Sequence, residues 1–148
     1  MIEDYEINKK TLALLSYENK TKVIEEDCEF VVDKTPSAIM EDSCEYFGSS
    51  LEGRKQGTKN LIGITHKSPI IVEESQEIIF FPTASPRLKE CSWVSLNNIK
   101  THSKKDNKTN IKFDNEQEIT LDVPYGIMDN QILRASLLEN TLRKRKKN

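Results

Sequence analysis

The sequence predicts an α+β fold with an antiparallel, strand-rich centre, and two observations carry that expectation. Short apolar or alternating runs bounded by turn residues fill the middle of the chain, from "ITHKSPIIVE" to "IKFDNEQEITLDV". From about Gly126, apolar residues recur at steps of four, three, three and four through Met128, Ile132, Ala135, Leu138 and Leu142, which is helical spacing. The order of elements is mixed, with strands dominating the middle.

Taken in order, "YEINKKTLALLSYE" reads as a hairpin, with Tyr5 and Ile7 before a turn at Asn8–Lys10 and a second strand through Leu12–Leu15. "VIEEDCEFVVD" follows as a strand, its β propensity supplied by Phe30, Val31 and Val32. Thr35 and Pro36 suit the N-cap and first position of a short helix near 36–47. Ser49 and Glu52 have the form of a capping box, so a second helix is expected near 50–62, stopped by Gly63. "IIVE" and "EIIFFPT" read as strands separated by "ESQ", and "SWVSLNNIKTH" alternates imperfectly. "KKDNKTN" reads as a basic connector, and "IKFDNEQEITLDV" as the clearest hairpin. The final helix is expected near 127–143.

At 148 residues, with no repeat and no sharp shift in composition, the chain is expected to form a single domain over 1–148 with a basic tail at 143–148. The longest apolar runs are too short to span a membrane, and "MIEDYEINKK" has acidic residues where a secretory signal needs basic ones. A cytoplasmic location is expected. Cys28, Cys44 and Cys91 form no C-x-x-C pair and read as small buried hydrophobes; metal-ligand spacing with His66 or His102 is lacking, so no metal or cofactor is expected.

Charge is unevenly spread. Residues 1–52 carry 13 acidic and 5 basic side chains, and residues 53–148 carry 11 and 17. "GSSLEGRK", from Gly48, looks like a phosphate-binding loop, but Arg54 stands in place of its lysine, Lys55 in place of its hydroxyl, and a helix precedes it. No strained G-x-S-x-G turn presents a serine, and no carboxylate pair sits in an apolar setting, so an enzyme is not expected. Basic residues instead gather in three groups: Arg54, Lys55, Lys59 and Lys67; Lys100, Lys104, Lys105, Lys108 and Lys112; and Arg143, Lys144, Arg145 and the lysines after them. Together they suit contact with duplex phosphates. For Gly53 and Gly57 two readings stand: close approach of DNA, or close packing of the helix on the sheet.

The blocks "DCEFVVD", "SCEYFGSSLEGRKQGT", "ITHKSPIIVE", "FFPTASPR" and "CSWVSLNNIK" resemble, in order and spacing, the ComK family, the competence transcription factors of bacilli and their relatives. The resemblance runs from about Tyr5 to Leu142. It implies a nucleoid-associated activator of DNA-uptake genes that binds paired A/T-rich promoter boxes of double-stranded DNA, largely through the minor groove, as a dimer or tetramer. RNA polymerase is then a further expected partner. Arg54, Lys55, Lys59, Lys67, Lys100, Lys104, Lys105, Arg143, Lys144 and Arg145 are the expected DNA contacts. Met128, Ile132, Ala135, Leu138 and Leu142 are the expected oligomerisation face. Longer family members continue past the position of Leu142 into a tail read by a Clp protease adaptor; here "RKRKKN" follows instead, which puts that adaptor in doubt as a partner. The alternative expectation is a truncated paralogue acting as a protein-interaction or dominant-negative partner of a longer member.

Overall fold

A computed structural model describes residues 1–147. The architecture is α+β and antiparallel, as expected. β1 (Thr11–Tyr17), β2 (Lys20–Glu25) and β3 (Glu29–Val32) are followed by α1 (Pro36–Tyr46) and α2 (Leu51–Ile62). Then come β4 (Ile70–Glu73), β5 (Ile78–Pro82), β6 (Trp93–Ser95), β7 (Ile99–Lys105), β8 (Lys108–Phe113), β9 (Glu118–Leu121) and α3 (Tyr125–Lys146). Six strands form one sheet in the order β3-β2-β1-β6-β5-β4; β7, β8 and β9 form a second.

The six-stranded sheet is covered on both faces, which explains why "IIV" and "IIFF" are continuous apolar runs. One face carries Leu14, Val23, Ile70, Val72, Phe80 and Trp93 against Ile39, Met40 and Cys44 of α1. The other carries Ala13, Ile24, Ile71, Ile79, Phe81 and Val94 against Ile111 and Phe113 of β8 and the apolar stripe of α3. Between the sheets a single 3-10 turn, Leu96–Asn98, redirects the chain. Its asparagines tie it to both neighbouring strands: Asn97 Oδ1 accepts from Ile79 N at 2.9 Å, and Asn98 Nδ2 donates to the Thr11 carbonyl at 3.4 Å and to Ser95 Oγ at 2.9 Å. That break is why the alternation from Trp93 to Ile99 looked imperfect.

Several sequence expectations need correction. "VIEEDCEFVVD" is not one strand but the end of β2, a turn at 26–28 and β3. The first hairpin is β1–β2, closed by a turn at Glu18, whose φ is 57°; Tyr5 and Ile7 precede it without forming a strand. Ile7 is instead fixed by its N–H donating to Ser43 Oγ at 3.0 Å. The "KKDNKTN" segment is no irregular connector but the end of β7, a tight turn and the start of β8. The α3 stripe is spent inside the chain: Met128, Ala135 and Leu138 are fully buried and Ile132 and Leu142 nearly so. These five side chains form core, which leaves none of them free as an oligomerisation face.

Among the cysteines, Cys44 and Cys91 are buried as expected, and burial pushes their thiols up to about 12 and about 11. Cys28 is exposed at the β2–β3 turn, against expectation.

Candidate nucleic-acid interface

α2 begins one residue later than its capping-box reading. Ser50, not Ser49, is the N-cap, its Oγ accepting from Gly53 N at 2.9 Å. The carboxylate of Glu41, reaching from α1, accepts from Leu51 N at 2.7 Å. The first turn therefore already has its anion, and a nucleotide phosphate would have to displace a carboxylate there. At the other end Gly63 adopts the left-handed conformation with φ 74° and donates to Lys59 O at 2.8 Å, as the sequence led one to expect.

The helix lies along the β4 side of the sheet and reaches both cores. Leu51 packs with the α1 side, Leu61 and Ile62 with the α3 side. Thr58, its one fully buried residue, donates from Oγ1 to Pro69 O at 2.6 Å, tying the helix to the lead-in of β4. α2 thus shields an edge strand and turns its remaining surface, with Lys55 and Lys59, outward. Arg54 lies half-buried, and its Nε, shielded from solvent, has no hydrogen-bond partner among the described residues.

The glycines do not pack α2 onto the sheet. A Cβ at Gly57 would meet nothing within 4 Å, and one at Gly53 would touch only the Ser50 and Ser49 hydroxyls, at 3.0 and 3.1 Å. An interior helical glycine in open space costs stability without a packing return. Gly57→Ala is therefore expected to stabilise the protein by about 0.5–1 kcal/mol, read as a raised thermal midpoint; an unchanged or lower midpoint would show a constraint at Gly57 that the geometry lacks.

Lys67 sits on the loop after α2 in the left-handed region, φ 48°. Its carbonyl accepts from Gln131 Nε2 at 3.0 Å, and the same amide donates to Pro82 O at 2.8 Å. Arg134 holds the neighbouring carbonyl of His66 at 2.6 Å. Gln131 and Arg134 were not singled out from the sequence. Gln131 sits beside the apolar positions of α3 and is fully buried, so its spacing was the only available signal.

The second basic group divides. Lys100 and Lys112 both pair with Glu116, which holds that carboxyl down at about 2. Lys104, Lys105 and Lys108 surround the β7–β8 turn, exposed and without a carboxylate partner among the described residues. The middle of this hairpin is fastened to α3, where His102 Nε2 lies 2.9 Å from Asp129 Oδ1 and its ring stacks on Tyr125 with centroids 5.5 Å apart.

The tail divides as well. Arg143 pairs with Glu77 at 2.9 Å and Glu139 at 3.6 Å, and Lys146 reaches Glu77 at 3.7 Å. Lys144 and Arg145 are exposed and unpaired among the described residues. Arg145 follows Tyr125 by twenty residues of α3, so the tail stands about 30 Å along its axis from the elements held at its start. The structure brings Lys55, Lys59 and Lys67 to one side of the β4 edge and places the hairpin lysines and the tail at opposite ends of α3.

Besides Glu73, Glu74 and Glu77 at the end of β4 and the turn after it, acidic groups gather across the sheet. Glu26, Asp27, Glu29 and Asp33 are exposed on and around β3, at the opposite edge of the sheet from β4. Five strand spacings of about 4.8 Å separate those edges, roughly 24 Å.

The ComK protein family model matches residues 2–147. The chain belongs to the ComK family. It is also 36% identical over 149 residues to the competence transcription factor of Bacillus subtilis (strain 168), covering 97% of this chain and 78% of that relative. No solved structure matches it. In this ComK-family chain the conspicuous "SCEYFGSSLEGRKQGT" block is the end of α1, the Glu41-capped junction and the first half of α2. No helix among the described residues is long and apolar enough to cross a membrane.

Proposed function

We propose that this ComK-family chain is a transcription factor of competence genes that binds duplex DNA with its β4–α2 side, and that it is not an enzyme. The observation that supports DNA binding is electrostatic. Of the ten cations expected to meet DNA, only Lys100 and Arg143 are neutralised by carboxylates; the other eight have no such partner among the described residues. Unneutralised cations release counterions from a duplex, whereas paired ones must first break their ion pair. The exposed carboxylates around β3 are held across the sheet from α2, which favours approach of DNA from the α2 side.

Within that reading, paired A/T-rich boxes are the preferred target. Their narrow minor groove concentrates negative potential and draws in arginine and lysine without a base-specific code. Arg54 and Lys55, on the glycine-bared surface of α2, are the residues assigned to that groove, with Lys59 and Lys67 on flanking phosphates. Pairing of boxes calls for more than one copy. Leu133 and Leu137, exposed at 62% and 49% and one turn apart on α3, are the residues assigned to self-association in place of the buried stripe. RNA polymerase is the proposed partner in activation.

The deciding experiment is a titration of the protein against a duplex bearing two A/T-rich boxes and against a G·C-rich duplex, over 50–200 mM salt. Tighter binding to the first, with affinity falling steeply as salt rises, is expected. Equal affinities or a flat salt response would overturn the reading.

A further inference from the structure

Resting on the DNA-binding reading, we infer that the β7–β8 turn is a separate seat for duplex phosphates, presented by Lys104, Lys105 and Lys108. The register itself motivates this. Lys105 and Lys108 are directly opposed across the two strands, and like charges in that position destabilise a hairpin. The same small sheet shows the alternative: at its other end Glu116 pairs with both Lys100 and Lys112. Among the described residues the turn's only carboxylate is Asp106, which occupies the left-handed position with φ 55° and pairs with none of the three lysines. Three cations therefore stand bare where the fold would gain from neutralising or replacing them.

The turn is also rigidly mounted. Thr109, the partner of Lys104, is fully buried and donates from Oγ1 to Val123 O at 2.8 Å. His102, two residues before Lys104 and on the same face of β7, is fixed between Asp129 and Tyr125. Only the lysine side chains and the two turn residues project. Lys67 is fastened to the same end of α3 through Gln131, so the two seats attach within about 10 Å of each other along that helix. A duplex lying across the start of α3 meets cations from both, and the turn adds grip without adding sequence preference.

The test uses the full chain with Lys105→Gln and Lys108→Gln together, titrated against the two duplexes across 50–200 mM salt. Each lost phosphate contact lowers the slope of log affinity against log salt by about 0.9. The double variant is expected to lose about 2 in slope on both duplexes alike, and its thermal midpoint to hold or rise as the opposed charges disappear. Lys22→Gln, on the acidic side and paired with Glu29, is expected to leave the slope unchanged. A wild-type slope in the double variant overturns the inference and leaves the DNA reading standing. Absence of salt-dependent binding by the wild type overturns both. Should the double variant melt early, Lys105→Gln alone decides: a loss of about 1 in slope supports the seat, and no loss rejects it.

Discussion

Leu138→Ala is expected to destabilise the protein by about 2–5 kcal/mol, measured as a lowered urea midpoint at unchanged slope. Leu138 is fully buried where α3 meets the second face of the six-stranded sheet and the β8 residues Ile111 and Phe113. Truncation leaves a cavity walled by two sheets that cannot both collapse onto it. Leu133→Ala, on the exposed side of the same helix, is expected to move the midpoint by less than about 0.5 kcal/mol while weakening self-association in sedimentation. The reverse pattern, a stable Leu138→Ala monomer, would return the stripe to the role that helical spacing alone suggested.

Arg54→Ala combined with Lys55→Ala is expected to produce the largest loss of DNA binding. Two cations on one helical turn contribute about 2 to the salt slope, and an arginine in a narrow groove adds preference for A/T-rich sequence. The fold is expected to survive. Neither residue is an N-cap, a C-cap or part of the buried clusters, and Thr58, Leu61 and Ile62 hold the helix in place. Circular dichroism and thermal melting check that survival, and the same duplex titration measures the loss. Unchanged affinity with unchanged melting would assign the glycine-flanked block to structure alone.

Much of this fold was legible because its local signals agree. Thr35 and Pro36 start α1, Gly63 ends α2, and alternation around Asp114–Gln117 marks β8 and β9. Helical spacing correctly placed α3 but could not say which surface covered its apolar face, since core and interface ask for the same residues. The partner of that face was a sheet assembled from distant segments. Ion pairing was illegible for the same reason. Lys100, Lys104 and Lys105 look alike in a row, yet only Lys100 reaches Glu116 from across the sheet, and Arg143 finds Glu77 some sixty residues away. The "KKDNKTN" segment misled because its lysines and asparagines have low strand propensity; cross-strand pairing overrode that preference. At α2 the cap is Ser50 rather than Ser49, and the Leu51 N–H beside it is taken by Glu41 of another helix, a contact that local spacing does not reveal.

The strand order β3-β2-β1-β6-β5-β4 has a kinetic side. β1 to β3 join through neighbouring hairpins, and β4 to β6 lie within a short stretch of chain, but the halves meet only at β1 and β6. That seam is two residues deep, Ala13 against Val94 and Leu14 against Trp93, across some eighty residues of sequence. On a ribosome the first three strands emerge long before their central neighbour exists, leaving one flank of β1 unpaired until the chain has passed Trp93. Closing a loop of that length before any contact rewards it is the entropic toll that slows such topologies. The buried indole and valine of β6 therefore act as the clasp that turns two locally formed ribbons into one sheet.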